Sequence, residues 1–496
     1  MERYRVLKKA DEQELRELHE KIKESRWREK FHIQTVTGLM NDPNGFSFYN
    51  NRWHLFYQWF PFWSIHGLKH WYHVSSEDLI HWKNEGVGLI PDTFYDNKGC
   101  YSGSGIVKDD QLYLVYTGNH KNENNERHPY QMLAVMDESS TIKKKETPII
   151  DMHENYTEHQ RDPKIFYRKE DGYYYILLGA QRKDETGTLL LYRSENIEDD
   201  WSFYGELTVE GYPSFGYMAE CPDLERIDED TWLLLFSPQG LEAEGDRYQN
   251  KFNNTYFIGS MDFEKLTFTP TSEMQELDLG FDFYAAQCAS QNVYENQAVL
   301  IGWFGCSDYT YPPTDKEGWS CLQTLPRILS VEDNVLKQRP VKDWKELCGD
   351  VLFEAVRSDI KKDFLKGKMP DGCVMEVNNP DLESLTFALF ASMNTDGFTI
   401  SFDKETGYFS IDKSGMADPC NEEFGLERRV HLSNGLKRML VFVDRSSVEI
   451  FLNDGEYVFS SRVFPEETEN LLRLGGRNVT VTIYDVNTTV VDDFVI

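Results

Sequence analysis

The amino-acid sequence predicts an almost entirely β-structured chain, built from two strand-rich regions in series. The first observation is a long run of short apolar and aromatic segments after residue 30, bounded by Gly, Asp, Asn or Pro. The second is that helical periodicity is almost absent from there to residue 330. The third is the aromatic content, 14% of 496 residues, which suits β-sheets and sugar-stacking surfaces. Such a series of short strands predicts a propeller, a barrel or a sandwich.

The one clear helix is predicted at residues 11–28, within an N-terminal segment of residues 1–30. An apolar stripe with helical spacing and a capping pair predict it: Leu15, Leu18 and Ile22, with Asp11 and Glu14. The segment is charged throughout and lacks an apolar stretch, so we do not expect a secretory signal.

Two strand series follow the helix. RWHLFYQW, GYYYILLGAQ and TWLLLFSPQG are typical of the first series, and the strand signal lapses near QRPVKDWKEL. The second series, which includes RMLVFVD and SVEIFL, suits a β-sandwich, and Asn453-Asp454-Gly455 predicts a hairpin turn within it. We therefore expect a first domain at residues 31–335, a linker at 336–350 and a sandwich at 351–496.

Charge and cysteine usage restrict the class of protein. The chain has 52 Lys and Arg against 84 Asp and Glu, a formal charge of −32, which argues against nucleic acid or anionic membranes as partners. No run approaches the length of a membrane span. The eight cysteines are scattered without a CxxC pair, which predicts reduced thiols. These features predict a soluble, cytoplasmic protein.

Three carboxylates stand close to prolines in constrained settings. Asp42 lies in MNDPNG, Asp162 in QRDPK and Glu220 in MAECPD. Because proline fixes its own φ and restricts the preceding residue, we expect each acid on stiff backbone. Preorganised carboxylates are what glycoside hydrolysis needs: a nucleophile, an acid/base, and negative charge facing an oxocarbenium-like transition state. Taken singly, each acid is more often a turn or salt-bridge residue.

Short motifs occur along the chain in a fixed order. MNDPNG is followed by FYQ (56–58), YSGS (101–104), RDP (161–163), EC (220–221), FYAAQ (283–287), IGWFG (301–305), LPR (325–327) and RSSVEIFLNDGE. Together they resemble glycoside hydrolase family 32, the invertases, fructan hydrolases and sucrose-6-phosphate hydrolases. The resemblance covers nearly the whole chain beyond the first helix. It implies a five-bladed β-propeller followed by a β-sandwich, with the active site in the propeller's central funnel.

The resemblance also implies roles for individual residues. Asp42 matches the nucleophile, Glu220 the acid/base and Asp162 the transition-state stabiliser. The positions that match the family's fructosyl subsite are Asn41, Gln58, Tyr101, Ser102, Arg161, Tyr284 and Trp303. Beyond the resemblance, we also expect substrate contacts from Leu39, Met40, His66 and Lys69. We expect the Asn41 amide and the Arg161 guanidinium to keep Asp42 ionised, whereas Glu220 must be protonated to release the glucosyl oxygen.

No metal or organic cofactor is expected. The one tempting metal spacing joins His70 and His73 in a strand-like aromatic run, and we interpret both as structural.

Three positions depart from the family pattern. Leu39, His66 and Ala219 stand where the family commonly has Trp, which changes the walls near the leaving group. Leu39 and Ala219 are interpreted as reshaping that side of the pocket. His66 and Lys69 belong either to a turn with a solvated lysine or to a pair that binds a phosphate on the glucosyl 6-position.

The leading hypothesis is a retaining β-fructofuranosidase that cleaves sucrose 6-phosphate, and also sucrose, to fructose and glucose 6-phosphate or glucose. The alternatives are an intracellular β-fructosidase acting on sucrose and short fructo-oligosaccharides, a sugar-binding propeller without catalysis, and fructosyl transfer in place of hydrolysis. The partner expected is a small sugar, with no nucleic acid and no membrane. The sequence gives no prediction of the oligomeric state.

Overall fold

The structure, a computed structural model, describes residues 2–290, 293–355 and 365–496. The predicted domain ranges also include positions 1, 291–292 and 356–364, which lie outside the described residues. Nearly all regular structure in the described part is β-strand, with one helix of more than one turn. The all-β prediction is therefore confirmed.

The first domain consists of successive antiparallel meanders in which the first strand lies innermost. The first blade contains β1 Gly38–Tyr49, β2 Arg52–Phe60, β3 His70–Ser76 and β4 Trp82–Leu89, and the second contains β5 Cys100–Lys108, β6 Gln111–Lys121, β7 Arg127–Met136 and β8 Ile142–Lys144. The third contains β9 Tyr156–Arg168, β10 Tyr173–Arg182, β11 Gly187–Ser194 and β12 Ser202–Val209, and the fourth contains β13 Met218–Arg226, β14 Trp232–Gln239, β15 Thr255–Asp262, β16 Thr267–Pro270 and β17 Gln275–Glu276. The segment of the fifth contains β18 Tyr284–Cys288, β19 Ala298–Phe304, β20 Trp319–Ser320, β21 Leu322–Gln323, β22 Arg327–Glu332 and β23 Val335–Pro340.

The blades close into a ring around the innermost strands. β1 lies against β5, β5 against β9, β9 against β13, β13 against β18, and β18 against β1. β20, which follows the fifth blade's second strand, pairs in parallel with β1 through Gly38 and Trp319. This strand joins the last blade to the first, and the five-bladed propeller is confirmed.

Two antiparallel sheets of six strands pack face to face after the propeller. The first sheet contains β24 Cys348–Ala355, β26 Cys373–Asn378, β31 Arg438–Val443, β32 Ser447–Leu452, β33 Tyr457–Arg462 and β35 Thr480–Val486; the second contains β25 Leu365–Lys368, β27 Leu385–Ala391, β28 Gly397–Asp403, β29 Tyr408–Gly415, β30 Glu427–His431 and β34 Leu471–Gly476. A shared apolar core fills the space between them. The sandwich prediction is confirmed, and Leu452 and Tyr457 close the hairpin predicted at residues 453–455.

The segment between the domains contains more regular structure than a linker would. β23 runs to Pro340 as the outer strand of the fifth blade, inside the range expected for the linker. A 3₁₀ helix at Trp344–Leu347 follows, and β24 then begins at Cys348.

The N-terminal helix is shorter than predicted. α1 spans Glu12–Lys23 after a 3₁₀ turn at Lys9–Asp11, and it buries Leu15 and Ile22 fully. Residue 28 lies beyond its end, where Arg28 is buried in an ion pair with Asp492, 2.5 Å between Nη2 and Oδ1. Asp11 occupies the N-cap position as predicted, but its carboxylate makes no capping bond, since it accepts from the Lys8 amide and pairs with Arg5.

The remaining short elements are α2 Pro312–Asp315 and a 3₁₀ turn at Glu422–Phe424. No helix in the described ranges is long and apolar enough to cross a membrane. All eight cysteines are unpaired, which confirms the thiol prediction.

A buried ionic network joins the propeller to the sandwich. His32 precedes the first blade, and its Nδ1 and Nε2 lie 3.1 Å from Asp444 Oδ2 and Glu449 Oε1 of the sandwich. Glu449 also lies 3.0 Å from Arg327 of the fifth blade, which pairs with Asp278 at 2.8 Å. Burial alone would disfavour a charged imidazole, but the two carboxylates raise the pKa of His32 to about 10. His32 therefore acts as a buried cation between the domains.

The C-terminal residues return to the propeller. β36, Val490–Val491, pairs in parallel with β4 at the outer edge of the first blade. The first blade is thus flanked by β20 on its inner side and by β36 on its outer side.

Candidate active site

Each innermost strand carries a β-bulge at the level of the predicted site. In every blade, three residues along the innermost strand span the same length as two residues along the neighbouring strand. The bulges lie between Met40 and Pro43, Cys100 and Gly103, Arg161 and Lys164, Glu220 and Asp223, and Tyr284 and Gln287. An extra residue bends a strand and redirects its side chains. The five bulges therefore turn residues from the propeller walls into the central funnel.

The backbone is strained at three of these bulges. Asp162, Cys221 and Ala285 have φ of +66°, +45° and +49°. Side chains other than glycine adopt this region at an energetic cost, and such residues concentrate at functional sites. Local bonds hold the Asp162 conformation, since its amide donates to Thr117 Oγ1 at 3.1 Å and its Oδ2 accepts from the Cys221 amide at 3.0 Å.

The bulges bring the three predicted acids together. The Cys221 thiol lies between two of them, with Sγ 3.8 Å from Asp42 Oδ2 and 3.6 Å from Asp162 Oδ2. Glu220 directly precedes this cysteine on β13. The acids thus come from β1, β9 and β13, three non-consecutive regions of sequence that share one end of the funnel.

Asp42 is held by three neutral side chains. Ser102 Oγ donates to Oδ2 at 2.5 Å, Asn41 Nδ2 donates to Oδ1 at 3.0 Å, and Gln58 Nε2 lies 3.4 Å from Oδ2. Burial raises the pKa of Asp42, while the bonds from Ser102 and Asn41 act in the opposite direction. Both carboxylate oxygens therefore have fixed directions.

Arg161 makes its ion pair with Glu220. Its Nε and Nη2 lie 3.0 and 2.8 Å from Glu220 Oε1, while Tyr284 OH and Gln239 Nε2 donate to Oε2 at 2.6 and 2.8 Å. The expectation that Arg161 supports the ionised form of Asp42 is therefore wrong. The guanidinium extends from β9 toward the neighbouring β13 rather than across the funnel to β1.

Asp162 is the most deeply buried of the three acids. Burial is the main cause that raises its pKa, and the charges of Glu220 and Asp42 act in the same direction. The Arg161 guanidinium and the Cys221 amide oppose this rise.

Lys69 and His66 lie together beside Asn41. Lys69 Nζ donates to Asn41 Oδ1 and lies 3.2 Å from His66 Nδ1. Burial lowers the pKa of Lys69 to about 7, and burial together with the Lys69 charge lowers the pKa of His66 well below 6.5. The lysine is buried, so the interpretation as a solvated lysine on a turn does not match its position.

Of the other predicted positions, three lie at the site or at a cavity beside it and one does not. Tyr101 is half-buried in the second bulge, and Trp303 lies beside Tyr284 with ring centroids 6.2 Å apart. Leu39 lines a cavity together with His66 and Trp303. Met40 is not brought to the site, because its side chain lies fully buried in the core between blades.

Sequence reasoning missed two residues that contact the site. Gln239 lies at the end of β14, and its amide fixes Glu220. Gln323 Nε2 donates to the Asn41 carbonyl at 2.7 Å. Gln239 stands between Pro238 and Gly240, a turn signal at the end of a strand that could have drawn attention to it, whereas Gln323 has no proline, glycine or charge beside it. Their positions follow from strand pairing, which the sequence does not reveal.

The two histidines with metal-like spacing have other partners. His70 Nε2 lies 3.2 Å from the Leu7 amide and its Nδ1 lies 3.0 Å from the Leu68 carbonyl. His73 contacts His54 at 2.9 Å on the opposite face of β3. The two rings therefore do not converge.

One buried cluster behind the funnel has metal-ligating side chains, namely Asp223, Glu225 and Cys288. Lys164 Nζ occupies its centre, 2.9 Å from Asp223 Oδ1, 2.7 Å from Glu225 Oε1 and 2.8 Å from the Cys288 carbonyl. A cation of the protein thus already fills this cluster and joins the third, fourth and fifth blades.

The chain is similar to known proteins over most of its length. The model of the glycosyl hydrolases family 32 N-terminal domain matches residues 32–340, and that of the glycosyl hydrolases family 32 C terminal matches residues 345–491. Sucrose-6-phosphate hydrolase of Staphylococcus xylosus is 36% identical over 470 residues, covering 94% of this chain and 93% of the relative.

Two solved structures are similar over almost their full lengths. Sucrose-6-phosphate hydrolase from Lactobacillus gasseri has a TM-score of 0.90 and 34% identity, covering 98% of this chain and 99% of that one. A mutant of the Bombyx mori GH32 beta-fructofuranosidase in complex with sucrose has a TM-score of 0.83 and 30% identity, covering 98% and 100%.

Proposed function

This chain belongs to glycosyl hydrolases family 32 and is a glycoside hydrolase of β-fructofuranosides, and we propose that it cleaves sucrose 6-phosphate, and sucrose, with retention of configuration. The observation that carries the proposal is the convergence of Asp42, Asp162 and Glu220 at three of the five aligned bulges. A binding protein without catalysis would not need three carboxylates so close together, one of them buried on strained backbone.

In the first step, Asp42 attacks the anomeric carbon of the fructosyl unit. The bond to the glucosyl oxygen breaks, and that oxygen takes a proton from Glu220. The bonds from Ser102 and Asn41 hold the Asp42 carboxylate at a fixed angle, which lowers the reorganisation needed on attack. The product of this step is a covalent fructosyl–Asp42 ester.

In the second step, water attacks the same carbon and releases fructose. Glu220, now ionised, takes the proton from this water, and the Asp42 carboxylate leaves. Tyr284 and Gln239 fix one oxygen of Glu220 and Arg161 the other, and these contacts favour the ionised form that acts as the base in this step. We assign Asp162 to sugar hydroxyls whose contacts strengthen in the transition state.

The phosphorylated substrate is favoured by Lys69 and His66. Lys69 is a buried cation next to the reaction centre, in a chain of strong negative charge. An anion on the substrate would compensate for the cost of burying that ammonium group. The relatives named sucrose-6-phosphate hydrolase support the same choice. Short fructo-oligosaccharides remain the alternative substrates, since Leu39 and Ala219 are smaller than tryptophan.

Measuring kcat/KM for sucrose 6-phosphate, sucrose and 1-kestose tests the proposal. We expect the phosphorylated disaccharide to give the highest value, with free sucrose hydrolysed less efficiently. Equal values for sucrose and its phosphate would refute the phosphate preference. A higher value for 1-kestose would favour the fructo-oligosaccharide alternative, and no hydrolysis of any of them would refute the catalytic proposal.

A further inference from the structure

The N-terminal segment contributes a cation to the cavity beside the active site. This cavity of about 360 Å³ is lined by Leu39, His66 and Trp303, and by Arg3. Arg3 lies outside every motif of the sequence, in front of the first helix. It therefore adds a charged group that neither the motifs nor the predicted substrate contacts include.

Two bonds hold Arg3 against the loop that carries His66. Arg3 Nε donates to the His66 carbonyl at 2.5 Å, and the Leu68 amide donates to the Arg3 carbonyl at 2.8 Å. Further along the segment, the Leu7 amide lies 3.2 Å from His70 Nε2. Residues 3–7 thus run beside residues 66–70, and the guanidinium is fixed at the cavity.

Arg3 makes no ion pair with the described residues, although Asp308 and Asp315 line the same cavity. Across the described ranges, no carboxylate lies within ion-pairing distance of its guanidinium, whereas Arg5, two residues later, pairs with both Asp11 and Glu14. A guanidinium stays protonated at any physiological pH and offers a planar fork of donors that matches a phosphate.

Side-chain contacts connect the lining of the cavity to the predicted acid/base. The His66 and Trp303 rings lie 6.1 Å apart and the Trp303 and Tyr284 rings 6.2 Å apart, and Tyr284 donates to Glu220. Since Glu220 would protonate the leaving group, a substituent of that group can extend toward His66.

We propose that Arg3 is a specificity-determining residue that binds the 6-phosphate of the leaving glucosyl unit, together with His66 and Lys69. The inference rests on the proposed function and names a residue that decides its substrate preference. Its fork pairs with two phosphate oxygens, while Nε keeps its bond to the His66 carbonyl. The buried Lys69 lies on the Asn41 side of the phosphate. The phosphate therefore lies between Arg3, which is always charged, and Lys69, whose charged form the bound phosphate stabilises.

The test uses Arg3→Gln and Arg3→Lys, with Lys9→Gln as a control that removes one charge from an exposed position of the same segment. For Arg3→Gln we expect kcat/KM on sucrose 6-phosphate to fall roughly 10- to 150-fold, the range of a lost charge-assisted contact. The value on sucrose should change less than about twofold, because sucrose offers no anion. Arg3→Lys should recover part of the loss, and Lys9→Gln should match wild type on both.

Inhibition of sucrose hydrolysis provides a second measurement. Glucose 6-phosphate should inhibit wild type more strongly than inorganic phosphate, and Arg3→Gln should weaken inhibition by both. Inhibition by inorganic phosphate alone would mean that Arg3 binds free phosphate rather than the sugar phosphate, which contradicts the proposal.

The outcomes separate this inference from the proposed function. If wild type hydrolyses both substrates equally, the phosphate preference itself is refuted. If wild type prefers sucrose 6-phosphate and Arg3→Gln keeps that preference within about twofold, the proposed function stands and the role of Arg3 is wrong. Equal losses on both substrates would show that Arg3 only shapes the cavity.

Discussion

Lys69 donates a hydrogen bond to the side-chain oxygen of Asn41, so the residue predicted to bind phosphate also fixes the amide beside the predicted nucleophile. The opposite end of that amide donates to Asp42 Oδ1 and to Gln58 Oε1. Because the lysine can only donate, it fixes which way the Asn41 amide is turned. Substrate choice and nucleophile orientation are therefore coupled through one side chain.

Replacing Lys69 tests this coupling. Lys69→Met should lower kcat/KM by roughly 10-fold or more on both sucrose 6-phosphate and sucrose, because the Asn41 amide loses its orienting donor. His66→Ala should affect mainly the phosphorylated substrate. A role of Lys69 in phosphate binding alone would leave sucrose hydrolysis nearly unchanged, and the contact with Asn41 is the reason to expect a loss on both substrates. Full sucrose activity in Lys69→Met would contradict the coupling.

The pH dependence should report Lys69 rather than His66. Burial lowers the pKa of Lys69 to about 7, so its charge is present below that pH and is lost above it. His66 has its pKa lowered well below 6.5 and stays neutral through the same range. We expect kcat/KM on sucrose 6-phosphate to fall as the pH rises through about 7. This fall in kcat/KM above about pH 7 should be absent in Lys69→Met and present in His66→Ala.

Asp42→Asn tests the nucleophile. The variant keeps the shape of the site, replaces one accepting oxygen by an NH2 donor and cannot form the covalent ester, so kcat should fall by roughly 10⁴-fold or more. Asp109→Asn, on an exposed turn of the second blade, serves as the matched control and should behave as wild type. Thermal unfolding should be nearly unchanged in both. Retention of a tenth of wild-type kcat in Asp42→Asn would exclude the assignment.

The stereochemistry of the product tests the two-step mechanism. Retention requires the Asp42 and Glu220 carboxyl groups to lie about 5–5.5 Å apart, against about 6.5–9.5 Å for inversion. We expect NMR during the first turnovers to detect β-fructofuranose before it equilibrates. α-Fructofuranose as the first-formed anomer would refute retention.

The buried His32 should make stability depend on pH. Its pKa is about 10 in the folded chain against an ordinary 6.5, so between these values the folded state holds one more proton than the unfolded state. The contribution of His32 is complete below about pH 6.5 and is lost as the pH rises through about 10. Urea denaturation should show stability decreasing from pH 7 to 10.

His32→Gln provides the comparison. Removing one partner of a buried ion pair should cost roughly 3–5 kcal/mol at pH 7, and the remaining pH slope should be smaller than in wild type. A wild-type slope in the variant would show that other groups cause the loss.

The strands were predictable because apolar and polar residues alternate over many short runs, as in RMLVFVD and SVEIFL. The acids were recognisable because Pro43, Pro163 and Pro222 follow each of them closely. The bulges were not, since an extra residue in a strand leaves no periodic signal and depends on the neighbouring strand. The same limit applies to Gln239, Gln323 and Arg3, whose importance comes only from what lies next to them. Arg161 was placed in the right site with the wrong partner, because the sequence does not give the direction of a long side chain.

The return of Val490–Val491 to the first blade has a consequence for how the chain is made. During synthesis the outer edge of the first blade emerges from the ribosome early, while the strand that covers it is translated only after the strands of the sandwich. An uncovered strand edge invites pairing with other chains. Folding intermediates of this protein should therefore be most prone to misassembly through β4 until Val490–Val491 docks, and chaperone demand should be greatest for nascent chains that lack this strand.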